Sequence, residues 1–493
     1  MHGNIVTIRG AFLILIMQSL ATGFLSYPKN RYMALLILLT TIGFNVMRGM
    51  REAIVFQFGQ NGAMYTPFIR ILCVLPISTL LFLFYLSVKK RHNSLVAYYA
   101  MTIPMLCYFI GYFLFASQQV IDLAQLPEWI RAAKSLYAPL EFVCVIFYHW
   151  DKTLYYVCCE AWGSFTLVIL FWQIANENYS RQEASSYYPV LSMLGGVGII
   201  LASAIIEKMG RSDNMMALTT QCITGIGLCN LWLVNRVWQC QQQKQQVQKK
   251  TPVSLIDGLK HAVSSPHILY LATCIISFSI LCNVYENAVR NIVLHHYSDE
   301  KAVFQFWGAF FLGKGLLVIT GNIISRVLLR KLGWFYVAIA TPIITIFSIH
   351  VVLLIPSIQQ FSTLMAGSQS ILWILAILLQ ITYAVKYSFF DPTKEMAYIP
   401  LKESERTYGK TVADGLGSRV GNVGSGLIQT VAIVITSGTE FTEIAPALLI
   451  MCSLISLSWA LAMRGLNLSY HSLIRQEEQS TTFDKSVNIG AKV

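Results

Sequence analysis

The sequence predicts an all-α, polytopic membrane protein with about twelve transmembrane helices. The observations behind this prediction are a high apolar content, few charged residues and long uninterrupted apolar runs. Of the 493 residues, 55% are hydrophobic and only 12% are charged, whereas about 25% of the residues in a soluble domain are charged. The apolar runs approach the roughly 20 residues that cross a bilayer as a helix. Their continuity excludes the alternating pattern of a transmembrane barrel.

Each apolar run is long enough to form one spanning helix, so the lipid bilayer is the first predicted partner. We predict spans at residues 32–56, 66–88, 95–115, 152–176, 188–206, 216–238, 269–294, 304–328, 334–355, 370–400, 413–436 and 443–463. The eleven cysteines lie mostly inside these runs and show neither metal-ligand spacing nor a disulfide pattern. We therefore expect them to be small buried residues and expect no metal or cofactor.

An additional apolar stretch, from Ala11 to Ser26, follows Arg9 near the N-terminus. It could be a cleaved signal peptide, an interfacial helix or an extension of the first span. It lacks a clear small-residue cleavage site, and a protein with many spans needs no cleaved signal. We therefore favour an uncleaved interfacial segment.

Positive charge is distributed unevenly between the two predicted sides of the membrane. With the N-terminus inside, 22 of the 36 Lys and Arg residues fall on the cytoplasmic side and six on the other side. The positive-inside rule then places both termini in the cytoplasm and requires an even number of spans. The net charge of +12 is thus mostly a consequence of topology, and nucleic-acid binding is not expected.

A polar segment rich in Gln and Lys, from Gln239 to Lys250, separates the sixth predicted span from the seventh. We interpret it as a flexible, solvated tether between two bundles. The predicted organisation is an N-terminal cytoplasmic or interfacial segment 1–31, a six-helix bundle 32–238, a cytoplasmic linker 239–268, a second six-helix bundle 269–463 and a cytoplasmic tail 464–493.

The two predicted bundles resemble each other at an offset of 238 residues. Corresponding positions are Asn45 and Asn283, Arg48 and Glu286, and Glu52 and Arg290. The charged positions therefore recur with reversed sign. Two six-helix halves around a central path are typical of the major facilitator architecture, in which the binding site lies between the halves near the middle of the membrane.

Charged residues inside the spans are the main functional signal. A charge at the bilayer centre costs at least about 2.5–3.5 kcal/mol, so such residues should face each other or a wet cavity. The cations within or beside spans are Arg48, Arg51, Arg70, Arg290, Lys314, Lys386, Lys394 and Arg419. The companion acids are Glu52, Glu160, Glu286, Asp391, Glu395 and Asp414. For Arg70, Arg419 and Asp414, which lie near span ends, ion pairing or snorkelling explains the charge equally well.

The central charges predict an anion-binding cavity. Arg48 and Glu52 are four residues apart on one helical face, as are Glu286 and Arg290, so each pair can partly neutralise itself. The deep set still holds six cations against three acids (Arg48, Arg51, Arg70, Arg290, Lys314 and Lys386 against Glu52, Glu160 and Glu286). Arg and Lys suit phosphate oxygens. A polyphosphate fits this surplus better than a sugar or a hydrophobic drug.

Several stretches resemble a known transporter family. The most specific is the run from Lys386 to Leu401, which is similar to a signature of the non-mitochondrial ATP/ADP translocases of plastids and intracellular bacteria. Further matching stretches are Asn45–Val55, Pro67–Arg70, Glu160–Ser164, Phe171–Trp172, Ala175–Asn176, Tyr285–Glu286 and Gly417–Gly421. The resemblance implies transport of nucleotides, by exchange or by proton-coupled import, in a bacterial inner membrane.

The resemblance also implies functional positions. The four important charged sites of the family fall on Arg51, Glu160, Glu286 and Lys394. Together with the intramembrane charges they complete the predicted substrate-binding set, which is Arg48, Arg51, Glu160, Glu286, Arg290, Lys314, Lys386 and Lys394. The family usually has Lys where this chain has Arg51, followed by Asp where it has Glu52. ATP/ADP exchangers typically carry Lys where this chain has Asn422, and this departure favours relatives that import other nucleotides.

Three classes of function are weighed. The first is a nucleotide carrier, exchanging or proton-coupled, that acts as a monomer. The second is a major facilitator carrier for another anion, such as a nucleotide-derived cofactor or an organic phosphate. The third is a membrane scaffold or receptor, which has no need of deep charges. The sequence contains no Gly-rich phosphate loop ending in Lys-Ser/Thr, so a gradient-driven transporter, and not an enzyme, is expected.

Overall fold

The computed structural model of the chain describes residues 24–59, 61–115, 127–179, 181–242, 265–357, 369–401, 405, 409 and 411–490. All regular elements among these residues are helices, which confirms the predicted fold class. A helix lies at each of the twelve predicted spans. In chain order they are α1 Pro28–Phe56, α2 Gly62–Arg91, α3 Ser94–Phe115, α4 Trp150–Asn178, α5 Arg181–Gly210, α6 Met215–Gln242, α7 Pro266–His296, α8 Glu300–Leu332, α9 Trp334–Ser357, α10 Gln369–Ala397, α11 at 411–436 and α12 Phe441–Gly490.

Eleven helices in the described part of the chain are long and apolar enough to cross a membrane. Among the twelve helices at predicted spans, α11 is the one that is not apolar enough to be counted among these eleven. Its first half carries Asp414, Arg419 and Asn422 among several glycines, and its second half is apolar apart from Gln429 and a few small polar residues. The polar half of α11 faces a cavity described below, which explains why polar residues are tolerated there.

The structure adds helix where loops or a tail were predicted. Two short helices, Glu128–Leu136 and Leu140–Tyr148, lie between α3 and α4. The last helix does not end near the predicted tail boundary at 464 but continues to Gly490. The predicted N-terminal segment lies mostly outside the described residues, as does most of the linker.

We refer to the described residues 24–242 as the N-terminal half and to 265–490 as the C-terminal half. Within the N-terminal half, α1 packs against α4, α5 and α6. Within the C-terminal half, α7 packs against α9, α11 and α12. The halves meet where α5 and α1 pack against α8, and where α2 packs against α11. The division into two bundles at 239–268 stays a prediction.

Close helix contacts depend on small residues. A Cβ atom built on Gly198 of α5 would lie 3.0 Å from the backbone oxygen of Leu38 and 3.0 Å from the Cβ of Thr41, both on α1. A backbone oxygen cannot move aside as the end of a side chain can. The approach of α5 to α1, which carries central charges, therefore requires glycine at this position.

We expect Gly198→Leu to lower the thermal stability of the detergent-purified protein, because overpacking at such a contact costs about 1–3 kcal/mol. The matched control is Gly111→Leu in α3, where a Cβ would meet no atom within 4 Å. Melting temperatures of the two variants and the parent provide the measurement. Equal melting temperatures for both variants would contradict the close α1–α5 packing.

Candidate functional site

Six charged residues from three helices form one buried cluster, which we call the central ion-pair network. Its members are Arg48, Arg51 and Glu52 on α1, Glu160 on α4, and Glu286 and Arg290 on α7. Glu52 and Arg290 are 0% exposed, and Glu286 is 2% exposed. The network thus places charge deep inside the protein, where each ion requires a partner.

Two ion pairs of the network join the halves directly. Arg290 donates from Nη2 to Glu52 Oε1 at 2.9 Å and from Nε to Glu52 Oε2, which makes a two-pronged contact. Arg48 donates to Glu286 Oε2, and its second acceptor is the hydroxyl of Tyr383 at 2.7 Å. Both pairs join residues 238 positions apart, which is the offset of the sequence repeat.

This coincidence explains the reversed signs in the repeat. When two similar halves pack about an approximate two-fold axis, counterparts close to the axis face each other. Identical charges at both counterparts would repel at the most buried place in the protein. Because Arg48 faces Glu286 and Glu52 faces Arg290, the same symmetry produces two attractions.

Arg51 connects the two pairs. Its guanidinium donates to Glu52, to Glu160 and to Glu286 Oε1, the last at 2.7 Å. The network therefore contains three arginines and three glutamates, and its formal charges cancel. Arg290 also donates to Asn287 at 2.6 Å, and Asn287 donates to Gln429 of α11 at 2.6 Å, which extends the polar contacts towards the second half of α11.

The pairing differs from the sequence expectation in one respect. The sequence predicts that Arg48 and Glu52 partly neutralise each other along α1, but each pairs across the halves instead. On α7 the expected intrahelical pair is present as a longer contact, with Arg290 Nη2 3.3 Å from Glu286 Oε1. The inter-half pairs form because the long side chains of Arg48 and Arg290 reach the carboxylates of Glu286 and Glu52 across the boundary between the halves.

The halves are joined from the middle of the bundle to the end predicted to be extracellular. Beyond the network, the halves are linked by hydrogen bonds from Gln57 to Glu300 (3.0 Å), from Lys301 to Asp213 (2.6 Å) and from the Tyr137 hydroxyl to the backbone oxygen of Val434 (2.6 Å). The repeat counterparts Asn45 and Asn283 lie about one helical turn from the network, towards the predicted cytoplasmic end. Asn45 accepts a hydrogen bond from Lys314, whereas Asn283 donates one to Asn422. The described contacts thus close the outer end of the bundle.

A cavity that is partly open to solvent adjoins the network between α2, α4, α7 and α11. Its polar lining includes Arg70, Thr79, Glu160, Asn283, Arg419 and Asn422. Arg70 is 6% exposed, and its Nη1 has no hydrogen-bond partner among the described residues. Arg419 lies with its guanidinium carbon 4.0 Å from the ring centre of Phe82 on α2, so it also spans the two halves.

The remaining predicted site residues lie apart from the network's ion pairs. Lys386 pairs with Asp391 at 3.0 Å, and Lys394 pairs with Asp414 of α11 at 2.9 Å. Lys314 is buried beside Arg48 without a carboxylate partner among the described residues. Arg51 and Lys394, both members of the predicted substrate-binding set, pair with different carboxylates.

The predicted cationic surplus is therefore present but lies elsewhere than expected. The network is neutral, and Lys386 is neutralised by Asp391. Arg70 and Lys314 are the cations of the deep set without a described carboxylate partner, and Arg419 joins Arg70 in the cavity lining. The predicted substrate-binding set does not include Arg70 and Arg419, because near span ends ion pairing or snorkelling explains their charge equally well. No sequence signal pointed to Tyr383.

Comparison with known proteins identifies the family. The sequence profile described as TLC ATP/ADP transporter matches residues 27–470. The chain belongs to this TLC ATP/ADP transporter family. It is 26% identical over 481 residues to the ADP,ATP carrier protein 3 of Rickettsia bellii (strain RML369-C), covering 90% of this chain and 94% of the relative. It is 24% identical to the ADP,ATP carrier protein 4 of Rickettsia felis (strain ATCC VR-1525 / URRWXCal2), covering 91% and 93%.

Solved structures of other transporters share the fold of this TLC family member. The nucleoside transporter NupG matches with a TM-score of 0.52 at 11% identity, covering 89% of this chain and 99% of that chain. An auto-inhibited POT family peptide transporter matches with a TM-score of 0.54 at 12% identity, covering 88% and 97%. At such identities the likeness concerns the fold alone. The polytopic transporter fold predicted from sequence is confirmed.

Family membership confirms the recognised resemblance and the expectation of a secondary carrier for nucleotides. It excludes the scaffold alternative and identifies the TLC protein as a transporter and not an enzyme. The relatives are bacterial proteins, in agreement with the predicted multi-pass location in a bacterial inner membrane. The roles of individual site residues remain predictions.

We expect Glu52→Gln and Arg290→Gln to have non-additive effects on thermal stability. Either single change leaves a buried charge without its partner and costs about 3–5 kcal/mol, whereas the double change removes both charges of the pair. Glu52 also binds Arg51, so the double variant should recover part of the loss. Melting temperatures of the four proteins in one detergent test this, and a double-variant shift equal to the sum of the single shifts would contradict the pairing.

Proposed function

We propose that this TLC family protein carries nucleotides by alternating access and binds their phosphate groups in the cavity between α2, α4, α7 and α11. The observation that supports this most directly is the pair of arginines in the cavity lining, Arg70 from the N-terminal half and Arg419 from the C-terminal half. Neither has a carboxylate ion-pair partner among the described residues, so both can accept an anion. A ligand held by both halves couples binding to the movement of one half against the other.

The central ion-pair network has a different role in this proposal. Its pairs Arg48–Glu286 and Glu52–Arg290 hold the outer end of the bundle shut, and Arg51 joins them to Glu160 at the cavity wall. A nucleotide in the cavity lies next to Glu160, and its phosphates compete with that carboxylate for Arg51. Occupancy of the cavity therefore loosens the network at the point where it reaches the substrate.

We propose that two of the predicted cations act at the cytoplasmic end of the protein during the transport cycle. Lys386 and Lys394 lie on α10 towards the predicted cytoplasmic end, and each is paired within the C-terminal half. We propose that Lys394 exchanges Asp414 for a phosphate of the incoming nucleotide. Asp414 and Arg419 both belong to α11, so this exchange occurs on the helix that also lines the cavity.

Exchange and proton-coupled import are both compatible with buried carboxylates such as Glu160 and Glu286, which can hold a proton or bind an arginine. The second candidate, a carrier for another phosphorylated anion, would use the same cations. Uptake of a panel of labelled nucleotides into proteoliposomes, with and without internal nucleotide and uncoupler, separates these cases. If no nucleotide were taken up but another phosphorylated anion were, the second candidate would replace the proposal.

Arg70→Ala and Arg419→Ala should each raise the KM for nucleotide uptake about ten- to hundredfold, because a hydrogen bond to a charged group contributes roughly 1.5–3 kcal/mol. Arg330→Ala is the matched control, since Arg330 is exposed on α8 outside the cavity. Arg70→Lys keeps the charge and should lose less. An unchanged KM in both alanine variants, with normal membrane insertion, would remove these arginines from the binding site.

Asn422→Lys should shift the substrate preference towards nucleotides with more phosphate groups. Asn422 lines the cavity and accepts a hydrogen bond from Asn283 at 2.9 Å, so a lysine there would add a third cation beside Arg70 and Arg419. The ratio of kcat/KM for ATP to that for AMP should rise about tenfold, the effect of roughly 1.4 kcal/mol. The measurement is competitive uptake, with Asn422→Gln as the neutral control, and a ratio equal in both variants would contradict the assignment.

A further inference from the structure

Lys314 of α8 is buried without a neutralising partner. The residue is 2% exposed, and none of the ion pairs of the described residues includes it. Its ammonium nitrogen is 3.4 Å from Asn45 Oδ1 of α1, a long hydrogen bond, and it lies 4.7 Å from the ring centre of Phe311. One weak acceptor and an aromatic face offset only part of the cost of removing an ammonium group from water.

Arg48 shares this environment. The Arg48 guanidinium carbon lies 5.1 Å from the ring centre of Tyr383 and 5.9 Å from that of Phe311, while Lys314 Nζ is 5.5 Å from the Tyr383 ring. Two cations from opposite halves thus face the same two rings. Of these two cations, Arg48 is the one paired with a carboxylate among the described residues: Glu286 accepts from Arg48 and from the Tyr383 hydroxyl.

The geometry points to an anion subsite formed by Lys314, Arg48 and Tyr383, at which a phosphate group of the substrate replaces Glu286. This inference rests on the proposed function for the choice of phosphate as the anion. A phosphate has enough oxygens to accept from Arg48 Nη2, from the Tyr383 hydroxyl and from Lys314 Nζ together. It also supplies the negative charge that Lys314 lacks in the described structure.

Replacement of Glu286 has a consequence for the outer closure. The link between Arg48 and the C-terminal half then runs through the phosphate and Lys314, beside Asn45, which is one turn closer to the cytoplasmic end. Glu286 is left with Arg51 and with Arg290, its neighbour four residues along α7. The Arg48–Glu286 pair, one of the two ion pairs that close the outer end, is therefore lost only when an anion is bound. The subsite thus makes outer opening depend on substrate.

Inorganic pyrophosphate is a suitable probe, because it carries the anion without a base and its binding to the detergent-purified full-length protein does not require transport. Isothermal titration calorimetry should show pyrophosphate affinity lowered about ten- to hundredfold in Lys314→Met and largely retained in Lys314→Arg. The matched control is Lys331→Met, on an exposed turn of the same helix, which should bind as the parent does. Equal affinity in Lys314→Met and the parent would overturn the subsite.

Glu286→Gln should change pyrophosphate affinity in the direction opposite to that of Lys314→Met. If Glu286 competes with the phosphate for Arg48 and Tyr383, removal of its charge should raise pyrophosphate affinity about tenfold while nucleotide uptake falls. A merely structural role for Glu286 would lower both. Unchanged or weaker binding in a well-folded Glu286→Gln variant would overturn the replacement step.

If this variant does not fold, the comparison of Lys314→Met with Lys314→Arg still decides the subsite. Failure of nucleotide uptake in the parent, with these affinities as expected, would refute the proposed function and leave the subsite intact.

Discussion

Charges buried where two similar halves meet must face opposite charges, and the rest of this structure depends on that constraint. Arg48 against Glu286 and Glu52 against Arg290 satisfy it through a reversal of sign between the two copies of the repeat. Because loss of one partner of a buried pair costs about 3–5 kcal/mol, the halves can separate at the outer end only if each charge finds a new partner. The spacing of four residues within α1 and within α7 offers such partners, and Glu286–Arg290 is already in contact.

The same constraint determines which cations are available to a substrate. Three arginines and three glutamates neutralise one another in the network, and Lys386 and Lys394 have acidic partners nearby. The deep cations without a described carboxylate partner are Arg70, which lines the cavity together with Glu160, and Lys314, which shares the rings of Phe311 and Tyr383 with Arg48. Arg51 and Glu160 connect the cavity to Glu286, so an anion at either cation competes for members of one continuous set of ion pairs.

Four of the helices that carry charged residues, α2, α4, α10 and α11, are irregular near them. Short π-helical segments occur at Arg70–Val74 in α2, Ser164–Phe171 in α4, Lys386–Phe390 in α10 and Thr411–Gly417 in α11. A π-helical turn inserts an extra residue and rotates the side chains that follow it, and such turns are frequent at functional sites. Here they include or closely follow Arg70, Glu160, Lys386 and Asp414. The local backbone thus contributes to the direction in which these side chains point.

Hydrophobic length, charge asymmetry and periodicity are local properties of the chain, so they predict the membrane class, the positions of the spans, the repeat and most of the buried charges. The pairing of these charges depends on the tertiary structure. Arg48 has an acid four residues away on its own helix, yet it binds Glu286, because the fold brings that carboxylate of the other half within reach of its side chain. The sequence likewise does not show that Arg70 and Lys314 are available to bind an anion, because whether a cation has a carboxylate partner depends on which acids the fold places beside it.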